Sequence, residues 1–586
     1  EYGNHDLRVM GFSVEGIDEA AEILVRGAPS NVMDSKDAGF DIKMKITGSE
    51  DITYDIEYSL DDRVFSDTMT VKPNKETTKK INFSGVKNGT YNLKAAVYNG
   101  KSVIRRIEKR IGIMELYKPQ FMDQYDRSVM STHFLFDSQT DQTELEIIKK
   151  AGTLAHRDEI YWNMIEPKAG AWDFSKPDGY MNWAKDAGLN SIIVVDFSNP
   201  NYVAIPPGTQ DPGKVAPRTK EELDAFCRYV ETILNRYPNI SAIEIWNETN
   251  WGFWQPEPNM LDYATMVKRV CMAARKVRPD IIVMAGSFVY IVGTEPFYDL
   301  LNENIYPYVD AMSTHPYVYP MNVDPALPNL LKVGSDIFDE FGGFKDHYNS
   351  EVGLPTSSNN TGIDEKGQAV ALTKNFVYDD QFGLEATCWY NFRNKGSNPM
   401  DNEHNFGIIN RDYTPKPALV ALAQRNNRLN GSIYQGTIDL ETGVQAHLYM
   451  KDRKPLLVAW KENGSRTVTI PNSKVEDLYG NKLEDSASIE LTESPVYIFG
   501  ISNDYYAKAV SNTATKHYDT FEKKWNELYS NEKLNELREN ASSLIVLPTA
   551  DAVKANMAKN IEVGIDIIQK VKSGELKISD RQMMSM

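Results

Sequence analysis

The stretch IEIWNETNWGFW, Ile243–Trp254, decides how the chain reads. It begins as a short apolar strand and ends on a polar pair, Asn247 and Glu248. It then opens into a loop that carries Trp251 and Trp254. A strand that delivers an amide and a carboxyl group at one end places polar chemistry at one edge of a sheet. If the strand belongs to a repeating set, its neighbours must do the same.

Working outward, strand and helix patterns alternate on both sides. Upstream, RSVMSTHFLF (from Arg127), TLAHRDEIYW (from Thr153) and NSIIVVDF (from Asn190) read as strands, each followed by a helical segment. The segment TKEELDAFCRYVETILNRYP reads as a helix with Thr219 as N-cap and Glu222 three residues on, a capping box. Downstream, DIIVMAGSF, VDAMSTHPY, DHYNSE and ATCWYNF read as strands, again with helical patterns after each. Near-continuous apolar strands such as SIIVVDF suit a sheet covered on both faces. Eight strand–helix units over residues 116–427 predict a (β/α)8 TIM barrel, whose active residues sit at the carboxyl ends of its strands. Polar residues do gather there: His133, His156 and Arg157, Asp196 and Asn199, Asn247 and Glu248, His315 and Tyr317, Glu351, and Trp389, Tyr390 and Asn391.

The flanks are different. Residues 1–115 carry alternating segments such as FDIKMKITG, ITYDIEYSL and TYNLKAAVYNG between Asn, Gly and Asp turns, which predicts an N-terminal β-sandwich. Residues 428–502 return to this pattern and predict a second sandwich. Residues 503–586 turn helical, with apolar stripes through Tyr506, Val510, Phe521 and Trp525 and through Ile561, Ile565 and Ile568. A helical hairpin or bundle is expected there, with a stalk to the cell surface as the functional alternative. The predicted architecture is thus multidomain: a central barrel flanked by β-sandwich domains, with a C-terminal helical segment.

Composition narrows the partners. A net charge of -18 argues against nucleic acid or anionic membrane as partner, both of which select clustered Lys and Arg. No apolar run reaches the roughly 18 residues of a membrane span. Three distant cysteines, Cys227, Cys271 and Cys388, form neither a disulfide framework nor a zinc pattern, and no metal or other cofactor is called for. The first residue is Glu1, which fits a secreted chain after signal removal, so an extracellular or cell-surface location is expected.

Glu248 and Glu351 are 103 positions apart, and only the barrel can bring them together. Two carboxyl groups facing across a pocket are what glycosidic bond cleavage requires. Asn-Glu after an apolar strand, with a later Glu in the context YNSEVGLPTSS, resembles clan A of the retaining glycoside hydrolases. EIYWNMIEPKAGAWDF (from Glu159), THPY (from Thr314), CWYNF (from Cys388) and NFGIINRDYTPKPALVAL (from Asn405) resemble further segments of that clan, most closely family 39 and its neighbours. The resemblance implies a general acid/base role for Glu248 and a nucleophile role for Glu351 steadied by Arg157. It implies that Asn247 bonds the sugar 2-hydroxyl, Tyr317 orients Glu351, His315 lines the cleft and Trp389 forms the sugar platform. Trp162, Trp251 and Trp254 are candidates for further subsites, against packing of the barrel rim. The expected partner is an oligosaccharide or polysaccharide. A non-catalytic glycan-binding surface protein and a transglycosylase are the alternatives, and the sandwich before the barrel and the helical tail lie outside the resemblance.

Overall fold

The computed structural model describes residues 19–119, 127–135, 141–290, 293–341, 345–484 and 487–509, together with Ser573. Most of the predicted C-terminal helical segment therefore lies outside the described residues.

The chain divides into two compact units, one formed by residues 1–116 with 412–416, the other by 117–411 and 417–586. In the first unit a three-stranded sheet (Glu19–Val25, Gly39–Ile46, Thr77–Asn82) and a five-stranded sheet share one apolar core. Alternation makes this core. In Gly39–Ile46 the residues Phe40, Ile42, Met44 and Ile46 are buried while Lys45 between them is exposed.

The second unit is built on a closed barrel of eight parallel strands in chain order. They are β1 (Ser128–Ser131), β2 (Ala155–Glu159), β3 (Asn190–Val195), β4 (Ile240–Ile245), β5 (Ile282–Val289), β6 (Ala311–His315), β7 (Asp346–Val352) and β8 (Ala386–Trp389). Each coincides with a stretch whose patterning predicted a strand, β5 and β7 running one residue past it. The inner floor is apolar, with small residues on several strands: Val129, Ile192, Ala242, Met284, Ala311, Ala386 and Cys388. This sets the parity of every strand, because residues two apart share a face. Above Ala155 on β2, Arg157 and Glu159 point inward, and above Ala242 on β4, Glu244 does. Above Cys388 on β8, Tyr390 is the next inward position.

The predicted capping box forms at the helix Lys220–Arg236: Thr219 accepts from the Glu222 amide, and the Glu222 side chain returns to the Thr219 amide at 2.9 Å. Helix Glu365–Gln381 is buried almost all round, because the barrel lies on one side and a five-stranded C-terminal sheet on the other. Two of its charged residues, Lys374 and Asp380, are paired inside this packing. Lys374 donates to Asp324 at 2.5 Å, Trp460 of the C-terminal sheet donates to the same carboxylate at 3.2 Å, and Tyr449 donates to Asp380 at 2.9 Å. Cys227, Cys271 and Cys388 are free thiols. Among the described residues no helix is long and apolar enough to cross a membrane.

Candidate active site

Arg157 is the hub of the barrel mouth. It is buried, and its guanidinium reaches three side chains from two strands. Nε donates to Glu244 at 2.8 Å, Nη1 to Glu351 at 3.1 Å and Nη2 to the Asn247 side-chain oxygen at 2.9 Å. Burial works against its charge, but the carboxylates of Glu244 and Glu351 outweigh it and hold the guanidinium firmly protonated. Burial would likewise raise the Glu244 carboxyl, yet Arg157, helped by His315, Ser313 and Ser350, leaves it below its ordinary value. A fully buried ion pair thus underlies the site.

Glu351 at the end of β7 is held from two directions. One oxygen takes the Arg157 bond, and the other accepts from the Tyr317 hydroxyl at 2.6 Å. Glu248, three residues past β4, meets His315 Nδ1 at 3.1 Å. His315 Nδ1 also lies 4.0 Å from Glu351, and carboxylate oxygens of Glu248 and Glu351 lie within 4.8 Å of each other. Burial would lower the His315 pKa, but the carboxylates of Glu351 and Glu248 win and raise it.

The strand-four turn is wound tightly to deliver these groups. Trp246 and Glu248, and Ser287 on the adjacent β5, all have positive φ, at 65°, 45° and 52°. Such backbone is costly for non-glycine residues and persists only where its surroundings enforce it. Ser287 shows how. Its hydroxyl oxygen accepts from the Glu248 amide at 3.2 Å, donates to Asn247 Oδ1 at 3.3 Å and meets His315 Nε2 at 3.1 Å. A serine has one proton, so if it goes to Asn247, His315 Nε2 must be the donor to Ser287. The proton on the other side of the ring is then shared between His315 Nδ1 and Glu248. Asn247 Oδ1 then accepts from two donors, Arg157 Nη2 and the Ser287 hydroxyl.

The fold therefore brings together Glu248, Glu351, Arg157, Asn247, His315 and Tyr317. It does not bring the tryptophans with them. Trp162 is wholly buried between Tyr202 and Tyr229, with Phe226 at its edge, and its indole N–H is spent on Glu166 at 2.7 Å. Trp254 is buried between Trp246 and Tyr263. Neither has a free face for a sugar, so both pack the rim. Trp389 is also fully buried, since it pairs with the outward Met130 while Cys388 pairs with the inward Val129. Tyr390 takes the inward place, edge-on to His133 at 5.6 Å and to Tyr317 at 6.3 Å. Only Trp251 of the four tryptophans is open, at 50% exposure, in a turn closed by its amide on the Glu248 carbonyl.

Sequence reasoning passed over Glu244 and Ser287 as site residues, and it named Tyr390 only among the strand-end residues, with no role. Glu244 left a trace, being a lone acid inside an otherwise apolar parallel strand, where a charge demands a partner.

No family model matches the sequence, and no curated protein does. Solved structures do. A β-xylosidase of family 39 from Caulobacter crescentus aligns at 13% identity and TM-score 0.48, over 66% of this chain and 97% of its own. A family 30 endoxylanase from Clostridium papyrosolvens C71 aligns at 14% and 0.46, over 64% and 96%. A family 39 glycoside hydrolase from the gut symbiont Bacteroides cellulosilyticus WH2 aligns at 20% identity and TM-score 0.64, over 82% of this chain and 100% of its own, and this chain shares its fold.

Proposed function

We propose that this protein is a retaining glycosidase acting by double displacement. The observation that carries the reading is the approach of Glu248 and Glu351, from β4 and β7, to within 4.8 Å between carboxylate oxygens. Retaining enzymes hold their carboxyl groups about 5–5.5 Å apart, whereas inverting ones leave roughly 6.5–9.5 Å for a water.

In this reading Glu351 attacks the anomeric carbon while Glu248 gives its proton to the departing oxygen. Water then enters, Glu248 removes its proton, and the bond to Glu351 breaks. Arg157 and Tyr317 fix both oxygens of the nucleophile, so attack costs little reorientation. His315 sits against Glu248 and offers the proton a second resting place during the cycle. Asn247 Nδ2 donates to the sugar hydroxyl next to the reacting carbon. Tyr390 takes the platform role first given to Trp389, and Trp251 extends the cleft on the leaving-group side. The substrate is a glycan, met outside the cell or at its surface.

The test is a panel of aryl glycosides and polysaccharides with Glu351→Ala and Glu248→Ala. Both variants should lose turnover, and azide should rescue Glu248→Ala on an activated substrate, giving a glycosyl azide of retained configuration. Turnover that survives in Glu351→Ala would refute the reading. Glycan binding without hydrolysis would favour a binding protein instead.

A further inference from the structure

A third carboxylate faces the same cleft. Glu159 ends β2 at the inward parity of Arg157, one level nearer the mouth. It is only partly buried, whereas Arg157 below it is buried. The Tyr161 hydroxyl donates to Glu159 Oε2, and the Tyr161 ring is stacked on Phe197 at 5.6 Å, so the carboxylate is held in place. Oε1 takes no hydrogen bond among the described residues. Burial pushes the Glu159 carboxyl up, the Tyr161 hydroxyl and the charges of Arg157 and Lys395 pull it back, and Glu351 adds to the rise, so all three charged neighbours act on it.

The cations around this wall are committed. Arg157 serves Glu244, Glu351 and Asn247. Lys395 meets the Tyr390 hydroxyl and lies 3.4 Å from Glu403. His133 is kept neutral by burial and by the charges of Lys395 and Arg157. His315 is engaged between Glu248 and Ser287. The uncommitted charge on the β2 side of the cleft is thus negative.

From this geometry we propose that Glu159 is a specificity-determining residue of the donor-sugar subsite: its free oxygen accepts hydroxyl protons of a neutral sugar and repels a sugar carboxylate. The proposal rests on the glycosidase reading above. It names the substrate class as a glycan of neutral sugars at the cleavage point rather than uronic acids.

The experiment uses the full chain, the neutral 4-nitrophenyl glycoside it cleaves fastest, and the monodeoxy and uronic-acid counterparts of that glycoside. Loss of a charged hydrogen bond predicts that Glu159→Gln lowers kcat/KM on the neutral glycoside by about 10- to 100-fold. The preference of the wild type for the neutral sugar over the uronide should shrink in the variant by roughly 10-fold. One monodeoxy glycoside should be a poor substrate for the wild type and lose nothing further in Glu159→Gln. Tyr161→Phe, which frees Oε2, should move the same ratios by less, and thermal melts of both variants check folding. If Glu159→Gln keeps wild-type ratios, or if the wild type prefers the uronide, the inference fails while the glycosidase reading stands. A wild type with no turnover on any glycoside overturns both.

Discussion

Removing the charge of Glu244 separates what holds the barrel together from what the site does. Glu244 and Arg157 are both buried, 2.8 Å apart, and neither reaches water. Glu244→Gln keeps the shape and leaves the guanidinium with Glu351 as its one remaining carboxylate. Breaking a buried pair on one side costs about 3–5 kcal/mol, because the partner charge stays desolvated. In a unit of this size that lowers the melting temperature by roughly 5 °C or more. The pH dependence carries the same signature. Folding lowers the Glu244 pKa from its ordinary 4.5, so the unfolded chain binds more protons between the two values. The pair's contribution is therefore complete above about pH 4.5 and is lost as the pH falls through the folded value. Urea midpoints at pH 3.5, 5 and 7 should show the gap between wild type and Glu244→Gln closing towards acid. Arg157→Leu/Glu244→Leu should regain much of the stability, as apolar replacements of buried pairs do, yet hydrolyse nothing. A Glu244→Gln protein that melts with the wild type at pH 7, or a gap that does not vary with pH, would refute this account.

Four further outcomes are expected. Tyr317→Phe deletes the 2.6 Å bond to Glu351 and should lower kcat by roughly 10- to 100-fold with little change in KM, read by steady-state kinetics. Trp251→Ala should raise KM on long glycans and leave short aryl glycosides nearly unaffected. Trp162→Ala should instead destabilise the fold by about 3–5 kcal/mol, seen in denaturant melts. Asp196 is fully buried, neither carboxyl oxygen has a hydrogen-bond partner among the described residues, and burial followed by the charge of Glu159 pushes its pKa well up. Its stabilising contribution is complete below its unfolded pKa near 3.8 and is lost as pH rises through the folded value. Asp196→Asn, which copies the neutral acid, should therefore gain stability over the wild type as pH increases, and a gap that stays constant with pH counts against this.

What could be read beforehand, and what could not, follows from the range of the forces involved. The barrel was legible because its signal is local: apolar runs like NSIIVV, helices with caps such as Thr219, and polar residues at the strand ends. Glu248 and Glu351 were legible for the same reason, as acids just where the apolar pattern stops. Trp162 and Trp254 stayed open between subsite and rim packing because their burial depends on Tyr202, Tyr229 and Tyr263, which come from other elements. The strand ATCWYNF holds the more instructive failure. Alternation was visible in it, but alternation alone does not say which parity faces in. The family resemblance gave the platform role to Trp389. The register settles the matter through a small residue: Cys388 lies beside Val129 on the barrel floor, so the strand turns Trp389 out toward the helices and Tyr390 in toward the cleft. The same parity on β2 carries Arg157 beneath Glu351 and raises Glu159 to the mouth. A single-residue slip of either strand would exchange these charged and aromatic groups for their outward neighbours. The packing of small floor residues such as Ala155, Ala386 and Cys388 thus decides which side chains the cleft presents, although none of them can touch a substrate.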